Sequence, residues 1–114
     1  MPSTKTRFAP SPTGLIHFGN VRTALFNVLL AKKQHGTFLL RIEDTDEERS
    51  REEYITALQA DLHWLGLDWQ EGETVGGDFG PYRQSQRVDL YERYLGQLAA
   101  QDKVYPCFCT PLEL

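Results

Sequence analysis

Apolar positions change their period several times along the chain, and each change marks an element. Val21, Ala24, Leu25, Val28 and Leu29 recur at three- and four-residue spacing, which predicts a helix with one buried stripe. It should stop near His35-Gly36, with the glycine as its terminating residue. Upstream, Thr6-Arg7-Phe8-Ala9 reads as a short strand running into Pro10-Ser11-Pro12-Thr13-Gly14, where two prolines and a glycine forbid regular structure. Downstream, Phe38-Leu39-Leu40-Arg41-Ile42 is a compact apolar run with one charge, suited to a strand buried on both faces as in a parallel sheet. Strand, turn, helix and strand form a βαβ unit with a right-handed crossover. The expected class is therefore α/β, with parallel strands and flanking helices.

The pattern continues less regularly. Glu43-Asp44-Thr45-Asp46-Glu47-Glu48 reads as an acidic loop. Ser50-Arg51-Glu52-Glu53 fits a capping box, Ser50 as N-cap and Glu53 reaching back. The helix it opens carries Tyr54, Ile55, Leu58, Leu62 and Leu65 on one side and ends at Gly66. Glu71 to Pro81, with four glycines, reads as a surface loop and as the most mobile part of the chain. A third helix is expected from about Ser85 to Gln101, with Val88, Tyr91, Leu95 and Leu98 on its apolar face. Val104-Tyr105 reads as a short strand, and Thr110-Pro111-Leu112-Glu113 as a helix start. Trp64, Trp69, Tyr82, Tyr91 and Tyr94 are expected in the core or an interface. There is no internal repeat and no low-complexity segment, and the 114 residues read as one domain or part of one.

Composition narrows the function classes. No apolar run approaches the roughly 20 residues that span a bilayer, and Met1 to Lys5 is not followed by a signal-like stretch, so no membrane role and a cytoplasmic location are expected. A net charge of −4 argues against gripping nucleic acid by charge alone, yet leaves room for a small anion held by a few placed donors. The two cysteines, Cys107 and Cys109, are too close in sequence for an unstrained disulfide. They read as reduced, partly buried thiols, or as half of a zinc site.

The chemistry concentrates in Arg7-Phe8-Ala9-Pro10-Ser11-Pro12-Thr13-Gly14-Leu15-Ile16-His17-Phe18-Gly19-Asn20. A strand ends, a rigid turn follows, and a helix begins near Gly19. Ligands of open α/β sheets sit beyond the carboxyl ends of the strands. A helix N-terminus there offers free N–H groups and a positive dipole end to phosphate. Gly14 and Gly19 permit close backbone approach. His17 and Asn20 lie three apart and can hydrogen-bond phosphate oxygens as negative charge develops.

This segment resembles the HIGH signature of class I aminoacyl-tRNA synthetases, in the P-S-P-T-G-x-x-H-x-G form of the glutamyl and glutaminyl enzymes. The likeness continues through Arg22-Thr23-Ala24-Leu25-Phe26-Asn27, Leu40-Arg41-Ile42-Glu43-Asp44-Thr45-Asp46 and Gln84-Ser85-Gln86-Arg87. It implies the first half of a Rossmann-like nucleotide-binding domain over residues 1–114, with about 104–114 opening an inserted acceptor-binding region. It implies a glutamate–tRNA ligase of the glutamyl-tRNA synthetase family as parent. Glutamate is activated with ATP and magnesium, then passed to the acceptor end of tRNA(Glu). In that likeness Arg7, Ala9, Ser11 and Glu43 match glutamate-binding positions, with Arg7 paired to a ligand carboxylate and Glu43 to the amino group. Thr13, Gly14, His17, Gly19 and Asn20 match ATP-binding positions, His17 and Asn20 acting in catalysis. Cys107 and Cys109 match part of a zinc site that some glutamyl enzymes complete further along.

Without the likeness, Arg7 reads as a strand-end surface charge and His17 as a capping residue, while Glu43, Asp44 and Asp46 read as a solvated loop partnering a helix dipole. For Asp46 that ordinary reading is preferred. The lysine signature K-[LM]-S-K of class I enzymes does not occur among Lys5, Lys32, Lys33 and Lys103. The chain alone is therefore expected to be a weak or inactive catalyst, monomeric, and a piece of a longer protein. The alternatives are a glutamyl-queuosine tRNA synthetase and a non-catalytic half-domain that binds only a ligand or partner. A glutaminyl enzyme and a non-tRNA nucleotidyltransferase fit the motif set less well.

Overall fold

The computed structural model describes residues 3–114. Strand β1 (Lys5–Phe8) leads through the Pro turn into helix α1 (Phe18–Lys33), then strand β2 (Thr37–Leu40) and helix α2 (Glu52–Trp64). Strand β3 (Glu71–Gly72), a 3-10 turn (Gln84–Arg87) and helix α3 (Val88–Ala99) complete the element order. The sheet runs β1-β2-β3, and both pairings are parallel. Phe8 lies opposite Leu40, and Leu40 opposite Gly72. The α/β class read from the sequence is the observed one.

The core explains the order. β2 is central, so Phe38, Leu39 and Leu40 are all buried. Helix α1 turns Ala24, Val28 and Ala31 inward, and the two alanines let its backbone lie close to the sheet. Helix α2 adds Ile55, Leu58 and Leu62, and Phe8, Ile42, Leu67 and Trp69 close the cluster. Each fully buried Leu, Ile or Phe contributes about 1.5–3 kcal/mol of transfer free energy.

Helix ends differ from the sequence reading in instructive ways. Gly36 does not carry the left-handed turn after α1; His35 does, at φ 50°. His35 N–H donates to Lys32 and Gly36 N–H to Ala31, the paired bonds of a Schellman end. Gly36 is needed for space, because a Cβ there would lie 2.0 Å from the Thr4 carbonyl oxygen. At the end of α2, Gly66 takes φ 70° as expected. The Ser50 capping box does not form: Arg51 is the N-cap, without a side-chain cap. Asp46 accepts from the backbone N–H groups of Arg49 and Ser50, so the chain is still in a turn where the box would begin.

The glycine-rich stretch is not simply a surface loop. Glu71 and Gly72 form β3, and Gly72 and Gly76 exchange backbone hydrogen bonds that close a tight turn. The buried Glu71 carboxylate accepts from Lys5 and from the Tyr82 hydroxyl. Gly77 sits at φ 137° with no room for a Cβ beside Glu71. Val104-Tyr105 forms no strand and is exposed, while Thr110 to Glu113 make a single turn in which the Thr110 N–H and hydroxyl donate to the Glu113 carboxylate. The apolar stripe of α3 is also exposed at Val88, Tyr91, Leu95 and Leu98.

Burial alone would raise the Glu71 carboxyl, but hydrogen bonds from Lys5 and Tyr82 and the Lys5 charge hold it below its ordinary 4.5. Its stabilisation is therefore complete above about 4.5 and lost as pH falls through the lower folded value. Replacing Lys5 by Met should cost about 1–3 kcal/mol in urea unfolding at pH 7, less than a fully buried pair because the Lys5 side chain is 34% exposed. Between pH 5 and about pH 3 the Lys5→Met chain should lose less further stability than the unaltered one. Parallel losses on acidification would remove the Lys5–Glu71 pair as the cause.

Candidate functional site

The carboxyl end of β1 opens onto a pocket of about 600 Å³. Residues 7–17 form most of its wall, joined by Asn20 and Thr23 from α1 and Tyr54 and Leu58 from α2. The wall is held by backbone bonds rather than by regular structure. Arg41 N–H donates to the Phe8 carbonyl and Glu43 N–H to the Pro10 carbonyl, each at 2.9 Å. Arg51 N–H donates to the Pro12 carbonyl at 3.1 Å, and Pro12 itself is fully buried. The turn is thus pinned between the end of β2 and the start of α2.

The helix entrance is a reciprocal cap. His17 is the N-cap, and its Nδ1 accepts from Gly19 N–H at 3.1 Å. Asn20 Oδ1 accepts from His17 N–H at 3.3 Å. The acceptor role of Nδ1 assigns the ring proton of a neutral His17 to Nε2, leaving an N–H donor for a ligand. The Asn20 amide NH2 is likewise left to donate. His17 therefore fills both roles read from the sequence: it caps the helix and lines the pocket.

Of the residues singled out in the sequence, Arg7, Ala9, Ser11, Thr13, Gly14, His17 and Asn20 are brought together around this pocket. Arg7 is exposed and forms no ion pair among the described residues. A Cβ at Gly14 would meet nothing within 4 Å, so its backbone faces open space. Gly19 lies outside the lining, and its lack of a side chain serves His17 instead: a Cβ there would lie 2.9 Å from the imidazole. Glu43 is half-buried beside the Pro10 wall but outside the lining.

The neighbouring acidic residues are already engaged. Asp46 pairs with Arg49, and the hydrogen bond from that guanidinium draws its carboxyl below the ordinary value. Asp46 thus stays a loop residue, as in the ordinary reading, but its partner is Arg49 rather than a helix dipole. Asp44 accepts from both the backbone N–H and the hydroxyl of Ser85. Arg83 spans Glu52 and Glu73 at 2.5–2.8 Å, and these bonds raise its pKa further.

Cys107 and Cys109 are both exposed, not partly buried, because the segment after α3 packs against nothing that would cover them. Hydrogen bonding to Cys109 draws the Cys107 thiol below its ordinary value. Among the described residues no group of three or more His, Cys, Asp or Glu could hold a metal ion, and two thiols do not close a tetrahedral zinc site.

Sequence reasoning missed Thr23, Tyr54 and Leu58 in the lining. Thr23 stands three residues after Asn20, one helical turn along the same face, so spacing could have found it. Nothing local places Tyr54 and Leu58 near residue 14. Trp69 and Tyr82 are buried as expected, whereas Trp64 and Tyr94 are exposed and Tyr91 is a partner for Arg41 at the surface.

A family model described as tRNA synthetases class I (E and Q), catalytic domain, matches residues 3–114. The chain is 64% identical over 110 residues to a glutamate–tRNA ligase 2 of Nitrosococcus oceani, covering 96% of this chain and 23% of that protein. It is 60% identical over 112 residues to a glutamate–tRNA ligase 2 of Alkalilimnicola ehrlichii, covering 98% and 24%. A crystal structure of a glutamate tRNA ligase from Elizabethkingia meningosepticum, in complex with its amino acid, superposes with a TM-score of 0.91 at 46% identity, covering 98% of this chain and 22% of that one. The chain thus spans about a quarter of the length of the curated relatives it matches.

Replacing His17 by Ala should lower the unfolding free energy by about 1 kcal/mol, and replacing it by Asn, itself a good N-cap, by no more than a few tenths. Urea titrations of the three chains measure this; equal stability of His17→Ala and the unaltered chain would rule out a stabilising cap.

Proposed function

Because the chain belongs to the family of class I tRNA synthetase (E and Q) catalytic domains, we propose that it supplies the ATP- and glutamate-binding part of a glutamate–tRNA ligase. The observation that carries the proposal is the pocket itself. One continuous wall at a strand end combines a guanidinium, a serine, an open glycine backbone and a capped helix N-terminus.

The reaction proposed has two steps. The substrate carboxylate attacks the α-phosphate of ATP, forming the P–O bond of glutamyl-adenylate as pyrophosphate leaves. The acyl group then passes to the terminal ribose of tRNA(Glu), releasing AMP. The attacking carboxylate is the substrate's own, so the protein's task is positioning and charge stabilisation. Arg7 pairs with a glutamate carboxylate, for which a planar fork of donors is suited. Ser11 and the Ala9 backbone border the same ligand, and Glu43 receives its ammonium group. Thr13, Gly14 and the α1 N-terminus take the phosphates, and Gly19 serves them by leaving room for the His17 ring. His17 Nε2–H and the Asn20 amide donate to oxygens that gain charge in the transition state.

Any magnesium bound with ATP would be held by phosphate oxygens and water, because Asp44 and Asp46 already have partners. Residues 104–114 are read as the start of the acceptor-binding region. The reading carries a cytoplasmic, monomeric protein with it. No helix among the described residues is long and apolar enough to cross a membrane. Similarity to proteins named glutamate–tRNA ligase favours this reading over a glutamyl-queuosine enzyme.

Calorimetric titration tests the site. Both ATP and glutamate should bind the unaltered chain, and Arg7→Ala should weaken glutamate by about thirtyfold, the ~2 kcal/mol of one charge-assisted contact, with ATP unchanged. Binding of neither ligand would overturn the proposal. Pyrophosphate exchange by the isolated chain should run far below a complete ligase, because no lysine signature is present to help stabilise the leaving phosphates. Exchange at the rate of a complete ligase would contradict that.

A further inference from the structure

The segment just after β2 is bonded on both sides. Toward the pocket, Arg41 N–H and Glu43 N–H donate to Phe8 and Pro10. Away from it, Ile42 N–H donates to the Tyr82 carbonyl and Gln84 N–H to the Ile42 carbonyl, each at 2.9 Å. The alternation is that of an extended strand, and Ile42 pairs in parallel with Arg83. Beyond Ile42 the outer side is held by a side chain. Asp44 Oδ1 accepts from Ser85 N–H at 2.9 Å, and Oδ2 accepts from the Ser85 hydroxyl at 2.7 Å.

We infer that Asp44 is a positioning residue for glutamate binding: by clamping Ser85 it fixes the backbone of Glu43 and, through Glu43 N–H, the Pro10 wall of the pocket. The inference rests on the reading of Glu43 as the ammonium-binding residue. Three observations carry it. Glu43 makes one backbone bond to the pocket wall and no side-chain hydrogen bond among the described residues, so its placement depends on its neighbours. The partner of Asp44 is itself anchored, because Arg83, two residues before it, forks onto Glu52 of α2. The 3-10 turn containing Ser85 has no side-chain cap from its own N-cap residue, and Asp44 supplies one from a distant segment. Burial would raise the Asp44 carboxyl, but the two bonds from Ser85, its own backbone N–H and the nearby Arg83 charge together hold it below its ordinary value, so the acceptor is ionised at neutral pH.

The test compares glutamate and ATP affinities by calorimetry for the unaltered chain, Asp44→Ala, Asp44→Asn and a control, Glu73→Gln. The control removes one outer contact of Arg83 and leaves its fork onto Glu52, and so the anchor of Ser85, in place. Asp44→Ala should weaken glutamate by about tenfold and change ATP by less than about twofold, the scale expected when a contact group is displaced rather than removed. Asp44→Asn keeps an acceptor for Ser85 N–H and should recover part of the loss. Glu73→Gln should leave glutamate affinity unchanged even where it lowers the melting temperature. If Asp44→Ala does not fold, Ser85→Ala takes its place in the same comparison. Unchanged glutamate affinity, equal weakening of both ligands, or an equal effect of Glu73→Gln would overturn the inference while leaving the proposed function standing. Failure of the unaltered chain to bind glutamate would overturn both.

Discussion

Pairing of β2 on both edges governs the rest of the molecule. A parallel strand flanked on each side has no free backbone edge, and its side chains meet cover on both faces. The ladder does not stop at Leu40. It runs on through Arg41, Ile42 and Glu43, bonding residues 8–10 on one side and 82–84 on the other. The pocket is therefore an extension of the sheet, with its wall held by the same kind of bond that orders the core. A turn with two prolines cannot supply that order itself, since each proline lacks a donor.

The polar contacts divide by depth. Lys5, Glu71 and Tyr82 form a cluster whose carboxylate is almost fully buried, where losing one partner leaves an uncompensated charge. The Arg83 fork is more open on the Glu52 side, so its geometric role outweighs its net energy. Its two carboxylates come from α2, 31 residues away, and from the turn after β3, 10 residues away. Around the pocket the side chains read as ligand-binding are nearly free of such contacts. Arg7 is unpaired among the described residues, and His17 and Asn20 each spend one atom on a cap while keeping a donor. That division keeps donors available without leaving helix α1 uncapped.

Elements with strong local signals appear where the sequence puts them. The helical stripe at Ala24 and Val28, the apolar run at Phe38 to Leu40 and the stop at Gly66 are set by side-chain period and by backbone freedom. Failures occur where a distant contact decides. Gly36 was read as a helix terminator, yet it is small because Thr4 passes against it. Ser50 was read as a cap, but the Asp46 turn delays the helix past it. The glycines after Trp69 suggested a loop, and two residues of that stretch instead join the sheet, since β2 offers an edge no local pattern reveals.

By itself the sequence determined the α/β class, the strand–turn–helix order and the residues of the pocket's main wall. Those residues are contiguous, and proline, glycine and helix-cap chemistry acts over only a few positions. Likeness of the ordered motifs also points to the family. Only the tertiary structure decided that Tyr54 and Leu58 close the pocket, that Gly19 makes room for His17, and that Asp44 reaches Ser85 across 41 residues of chain. Those are pairings between segments, and their partners become neighbours only once the parallel sheet has brought the strand ends together.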